Sequence, residues 1–176
     1  MAVFSQVFLS YCHFDNFFTG YWLDINFNNC MRIVERNAYV KFSAKEMFLI
    51  VDNIESYPEF IPWCSGTEIH QRMENNVIAS ISLSGKGLQT KFTTSNHMQL
   101  YETIDLHLDE GPFNHFEGGW KFIDLGDDGS KIQFNLNFEF KNKVLDLTLG
   151  PFFEEICDKL VNVFVDRAND VHASSR

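Results

Sequence analysis

Ile132-Gln133-Phe134-Asn135-Leu136-Asn137-Phe138-Glu139-Phe140 alternates apolar and polar residues without a fault. Successive side chains of a strand point to opposite faces, so this stretch predicts a β-strand with one buried and one wet face. Further on, the period changes. Phe153, Ile156, Cys157, Leu160, Phe164, Ala168 and Val171 recur every three or four residues, the stripe of an amphipathic helix. An antiparallel sheet buried on one face, followed by a long helix with apolar surface to cover, predicts a sheet curled around that helix. The fold class is therefore α+β.

The remaining strands come from the same alternation. Val34, Ala38, Val40 and Phe42 share one parity, with Arg36 the charged exception on that face. Thr67 to Arg72 is a second strand. Val77, Ala79, Ile81 and Leu83 set the inner face of a third, with Ser80, Ser82 and Ser84 outside. Leu88, Thr90, Phe92 and Thr94 follow, then Ile104, Leu106 and Leu108, then Phe116, Gly118, Trp120 and Phe122. Glu74-Asn75-Asn76 and Asp124 to Gly129 read as turns, and Gly85-Lys86-Gly87 as a bulge or bend. Gly111-Pro112 breaks the pattern, because proline cannot sit inside a central strand. Gly150-Pro151 is expected to start or kink the last helix.

Ser43 and Glu46 have the spacing of a capping box, so a short helix is expected from there to about Asn53. In Tyr57-Pro58-Glu59-Phe60-Ile61-Pro62-Trp63-Cys64 the two prolines allow only a short turn between them. Tyr57, Phe60 and Trp63, three apart, would form one aromatic face on such a turn.

Composition narrows the function. The chain has 176 residues, enough for one domain with a sizeable core, and its 19 Phe are far above an ordinary share. Aromatic bulk on one curved sheet makes either a solid core or the lining of an apolar cavity. The formal net charge of −10 disfavours DNA or a sequence-independent nucleic-acid partner. The four cysteines, Cys12, Cys30, Cys64 and Cys157, have no paired spacing, so neither a zinc site nor a disulfide framework is indicated and a reducing, cytoplasmic setting is expected.

Residues 1–30 differ from the rest: they hold nine aromatic residues and no Lys or Arg. They match neither a secretory signal nor a transit peptide. We read them as an extension outside the domain, with Met31 as the start of residues 31–176; an aromatic membrane-docking arm is the rival reading.

No catalytic or metal constellation stands out. The six histidines lack metal-ligand spacing, and no nucleophile elbow, P-loop or dinucleotide fingerprint is present. Cys64 has no histidine or basic residue near it in sequence, so a buried structural thiol is expected over a reactive one.

Tyr57-Pro58 through Trp63-Cys64, together with Glu110-Gly111-Pro112-Phe113, Gly119-Trp120-Lys121-Phe122 and Phe164-Val165-Asp166-Arg167-Ala168, resembles the coenzyme-Q-binding START-type family, which includes the bacterial ribosome-association toxins. The likeness covers roughly residues 31–172. It implies a helix-grip fold, an antiparallel sheet wrapped around a C-terminal helix. It also implies a non-catalytic carrier for ubiquinone, a polyprenyl quinone held as bound ligand, with transient contact at the inner-membrane surface. A ribosome-association toxin binding the large ribosomal subunit is the alternative. An enzyme of the related cyclase or dehydratase type is a third reading, lacking a visible acid–base pair.

The pocket candidates are Tyr57, Phe60, Trp63, Phe92, Phe113, Trp120, Phe138 and Phe153, lining a pocket or filling core. Arg36 and Arg167 are candidate polar anchors for a quinone carbonyl, or else partners of surface carboxylates.

Overall fold

The computed structural model describes residues 31–173; the expectations for residues 1–30 fall outside them. The element order is β1 (Arg32–Val40), α1 (Ala44–Asp52), a 3-10 turn (Ile54–Ser56), α2 (Tyr57–Phe60), β2 (Cys64–Met73), β3 (Asn76–Gly85), β4 (Leu88–Gln99), β5 (Thr103–Glu110), β6 (Phe113–Asp124), β7 (Ser130–Phe140) and α3 (Lys143–Ala173). The strands form one seven-stranded antiparallel sheet in the order β1-β7-β6-β5-β4-β3-β2. The sheet is open and curved, with α3 against its apolar face: the helix-grip architecture.

β7 keeps the alternation its sequence predicts: Ile132, Phe134, Leu136, Phe138 and Phe140 are all buried. β1 pairs with it in register, setting Val34 opposite Leu136 and Ala38 opposite Ile132 on the core side. Between β5 and β7, Gly118 and Gly119 keep the backbones close. A Cβ at Gly118 would lie 2.2 Å from the Asn135 carbonyl oxygen, and one at Gly119 2.2 Å from that of Ile104. Only residues without a side chain fit beside the neighbouring backbones in this conformation.

Three local expectations change. Gly85-Lys86-Gly87 is a bend and not a bulge: Gly85 pairs with Leu88, and Lys86 and Gly87 have φ of 52° and 77°. Two central residues with positive φ make a tight hairpin turn whose twist matches the strands it joins.

α3 does not start at Gly150-Pro151. It begins at Lys143, where the Leu145 and Asp146 N–H groups donate to the Oδ1 and carbonyl oxygen of Asn142, both at 3.0 Å. Pro151 lies inside the helix and cannot donate to the Leu147 carbonyl, at a turn where Leu147 is exposed to water. Beyond the expected stripe, Leu149, Phe152, Val161 and Val165 are also buried, because the sheet curls around a wide arc of the helix; Val171 is exposed.

Ser80, expected on the wet face, is buried and hydrogen-bonded to His70 and Thr93, each at 2.7 Å.

Candidate functional site

Strand curvature leaves more room between sheet and helix than the side chains fill. The result is a cavity of about 100 Å³ beneath the middle of α3. Its sheet wall comes from inward positions on β3 to β7, among them Leu83, Phe92, Met98, Ile104, Trp120 and Phe134. Phe153, Ile156, Cys157, Leu160 and Phe164 of α3 form the roof, and Val51, Ile54, Tyr57, Ile61 and Trp63 close one side.

Five of the eight pocket candidates line this space: Tyr57, Trp63, Phe92, Trp120 and Phe153. Three do not. Phe113 and Phe138 sit in a solid aromatic cluster, Phe113 lying 4.8 Å from Phe140, 5.1 Å from Phe116 and 5.1 Å from Phe153 between ring centroids. Such tilted and edge-on packing leaves no gap there. Phe60 packs edge-on against Tyr57 and Phe164 and lies under the Arg167 guanidinium at 5.1 Å, outside the cavity. The expected single face of Tyr57, Phe60 and Trp63 does not form, because α2 ends at Phe60 and Ile61 is extended. The two readings of the aromatic excess, solid core and lined cavity, divide the rings between them.

Neither arginine reaches the cavity. Arg36 does project from the inner face of β1, but its guanidinium pairs with Asp158 of α3 and donates to the Glu35 carbonyl at 2.7 Å. A buried cation needs such partners. Arg32, four residues back along β1, pairs with Asp146 and Glu154 at 2.8 and 2.7 Å, so β1 clasps α3 by ion pairs. Arg167 pairs with Glu59 at 2.8 Å, tying α3 to α2.

The cavity walls are electrically quiet. Burial raises the Tyr57 hydroxyl well above its ordinary pKa, and that hydroxyl donates to the Val51 carbonyl at 2.5 Å. Burial likewise raises the Cys64 and Cys157 thiols, so both stand as neutral S–H groups at neutral pH. Asp52 is the one charged lining residue among the described residues, and Arg72 holds it at 2.9 Å while also reaching Glu55 at 3.0 Å. Among the described residues no three His, Cys, Asp or Glu side chains gather as a metal site. No helix is long and apolar enough to cross a membrane, again among the described residues.

Two polar residues on the cavity wall were absent from the sequence candidates. Thr94 and Asn96 continue the inward parity of Phe92 along β4, and both are buried. The signal was there in Phe92, Thr94, Asn96 and Met98, but it runs past the point where the alternation stops looking hydrophobic.

Comparison with known proteins places this geometry. Residues 40–165 match the family described as polyketide cyclase / dehydrase and lipid transport. The ribosome association toxin RatA of Vibrio cholerae is 39% identical over 142 residues, covering 81% of this chain and 99% of the relative. The persistence and stress-resistance toxin PasT of Escherichia coli is 36% identical, covering 80% of this chain and 89% of the relative. The mitochondrial coenzyme Q-binding protein COQ10 homolog B of Xenopus laevis is 23% identical, over 74% of this chain and 55% of the relative. In fold, the crystal structure of the Zhui aromatase/cyclase from a Streptomyces species superposes with a TM-score of 0.66 at 15% identity, over 79% of this chain and 94% of that one.

Proposed function

This chain belongs to the polyketide cyclase / dehydrase and lipid transport family, and from that premise we propose that it is a non-catalytic carrier for a prenylated quinone of the ubiquinone class. The observation that carries the reading is the cavity itself: apolar, aromatic-walled and roofed by α3, with few polar atoms. Ligand sites are mostly apolar with a small number of placed polar groups. Neutral thiols and a tyrosine already engaged with the backbone leave the lining without an obvious proton donor–acceptor pair, which supports binding over turnover. The name of the Xenopus relative supports a quinone as the ligand.

Size sets a condition. A cavity of about 100 Å³ is below the roughly 300–1,000 Å³ of ordinary small-molecule pockets. It accommodates about one ring or one isoprene unit, so a longer tail requires α3 or the α1–α2 segment to move outward. Each buried methylene contributes about 0.8 kcal/mol before ordering costs, so that widening is driven by the tail itself.

The names of the bacterial relatives support a second reading, a ribosome-association toxin engaging the large ribosomal subunit. With a net charge of −10, such docking would use ribosomal protein rather than bare RNA.

The test is the full chain purified from its host without detergent, extracted with organic solvent and analysed by mass spectrometry. Near-stoichiometric prenyl quinone is the expected result. An empty extract from folded protein, with cosedimentation on large subunits, would overturn the carrier reading in favour of the second.

A further inference from the structure

Asn96 sits in the C-terminal third of β4, between Val77 of β3 and Leu106 of β5, with Thr94 and Met98 beside it on the inner face. It is 4% exposed, it lines the cavity, and its Oδ1 has no hydrogen-bond partner among the described residues. Buried polar atoms are nearly always paired, and one left unpaired costs stability that a leucine or valine at the same place would not. Two other buried oxygens lack partners, Thr103 Oγ1 and Ser130 Oγ, but neither residue lines the cavity. Of the three, only Asn96 Oδ1 belongs to a residue of the cavity wall.

Resting on the carrier reading of this cavity, we propose that Asn96 is its polar recognition residue and that the group it recognises is a hydroxyl on an apolar body. A carboxamide offers one acceptor oxygen and two N–H donors. A ligand hydroxyl donates to the acceptor and accepts from the amide N–H in return, satisfying both ends. A carbonyl or ether oxygen only accepts, leaving Oδ1 as unpaired as before. For a ligand that exists in two redox forms, the cavity prefers the hydroquinone, with its phenolic O–H groups, over the quinone. Of the two polar wall residues on β4, Thr94 offers only a hydroxyl, while Asn96 carries the unpartnered acceptor, so discrimination falls on Asn96.

The cavity holds about one ring, which makes small aromatic probes suitable. An apolar protein cavity of about 150 Å³ takes benzene, so a modest opening admits them. Phenol, toluene and anisole are titrated into the full chain and into Asn96→Leu by calorimetry or ligand-observed NMR. Asn96→Val serves as a second apolar variant, matching the valine already packed across the ladder.

The expected result is that phenol binding weakens about tenfold or more in both variants, while toluene and anisole bind as well or better. Equal loss of all three probes, or phenol binding unchanged by the substitution, would overturn the role of Asn96 while leaving the cavity reading intact. Wild-type protein that binds none of the three would overturn both together.

Discussion

Tyr57 shows how one residue serves structure and cavity at once. Its ring faces the cavity and packs edge-on against Phe164 at 5.2 Å, while its hydroxyl takes up the Val51 carbonyl. Val51 is in the last turn of α1, where helix carbonyls have no intrahelical partner. Tyr57→Phe keeps the ring and strands that carbonyl, so unfolding in urea is expected to show a loss of about 1–3 kcal/mol. No loss would mean that water reaches the carbonyl. At this scale the sequence was legible where parity decides the environment, as for Trp120 or Phe153. It was illegible where a neighbour decides it. Parity puts Arg36 on the inner face, but its partner Asp158 is 122 residues away, and no local pattern announces that pairing. Asn96 was missed for a different reason: an asparagine on an inward position looks like the end of an apolar strand, and only its setting shows that it is still inside.

Among the elements, α1 is the best case of local chemistry dictating structure. Ser43 accepts from the Glu46 backbone N–H at 3.2 Å, and the Glu46 carboxylate accepts from the Ser43 backbone N–H at 2.8 Å. That bond, with help from the Ser43 hydroxyl and from His172 of α3, holds the Glu46 carboxyl below its ordinary value of 4.5. A carboxyl depressed in the folded state adds stability that is fully present above its ordinary pKa and is lost as pH falls through the lower folded value. The stability gap between wild type and Glu46→Gln should therefore shrink as pH drops from about 6 to about 3. A gap unchanged over that range would contradict the cap as the cause. Ser43→Ala is expected to cost about 1 kcal/mol. The capping box, the sheet strands and the short prolyl turn were all readable because each is local. The start of α3 was not, since Gly150-Pro151 fits either a start or a kink and the Asn142 cap lies before an unremarkable polar run. The hairpin at Lys86-Gly87 was hidden because a non-glycine residue takes positive φ there.

Taken whole, the molecule is a curved sheet that holds a helix at two kinds of contact. On one side, Arg32 and Arg36 clasp acidic residues of α3; in the middle, aromatic rings meet it and leave a gap. The curl of the sheet around α3 follows from hydrophobic period, and the order of elements from that period together with the capping box and the prolyl turn. Whether the aromatic face is filled or hollow does not, because a cavity is a shortfall of volume among side chains from many strands, and period carries no volume. If this hollow binds an apolar ring, as proposed, its own walls supply the reporter. Trp63 and Trp120 both line it, so a bound quinone should quench their fluorescence. Thr94→Phe puts a ring into the space from the β4 wall. Titration with a short-tailed quinone is predicted to give saturable quenching at one site per chain in the wild type and none in folded Thr94→Phe. Quenching that never saturates, or that Thr94→Phe reproduces in full, would contradict the claim.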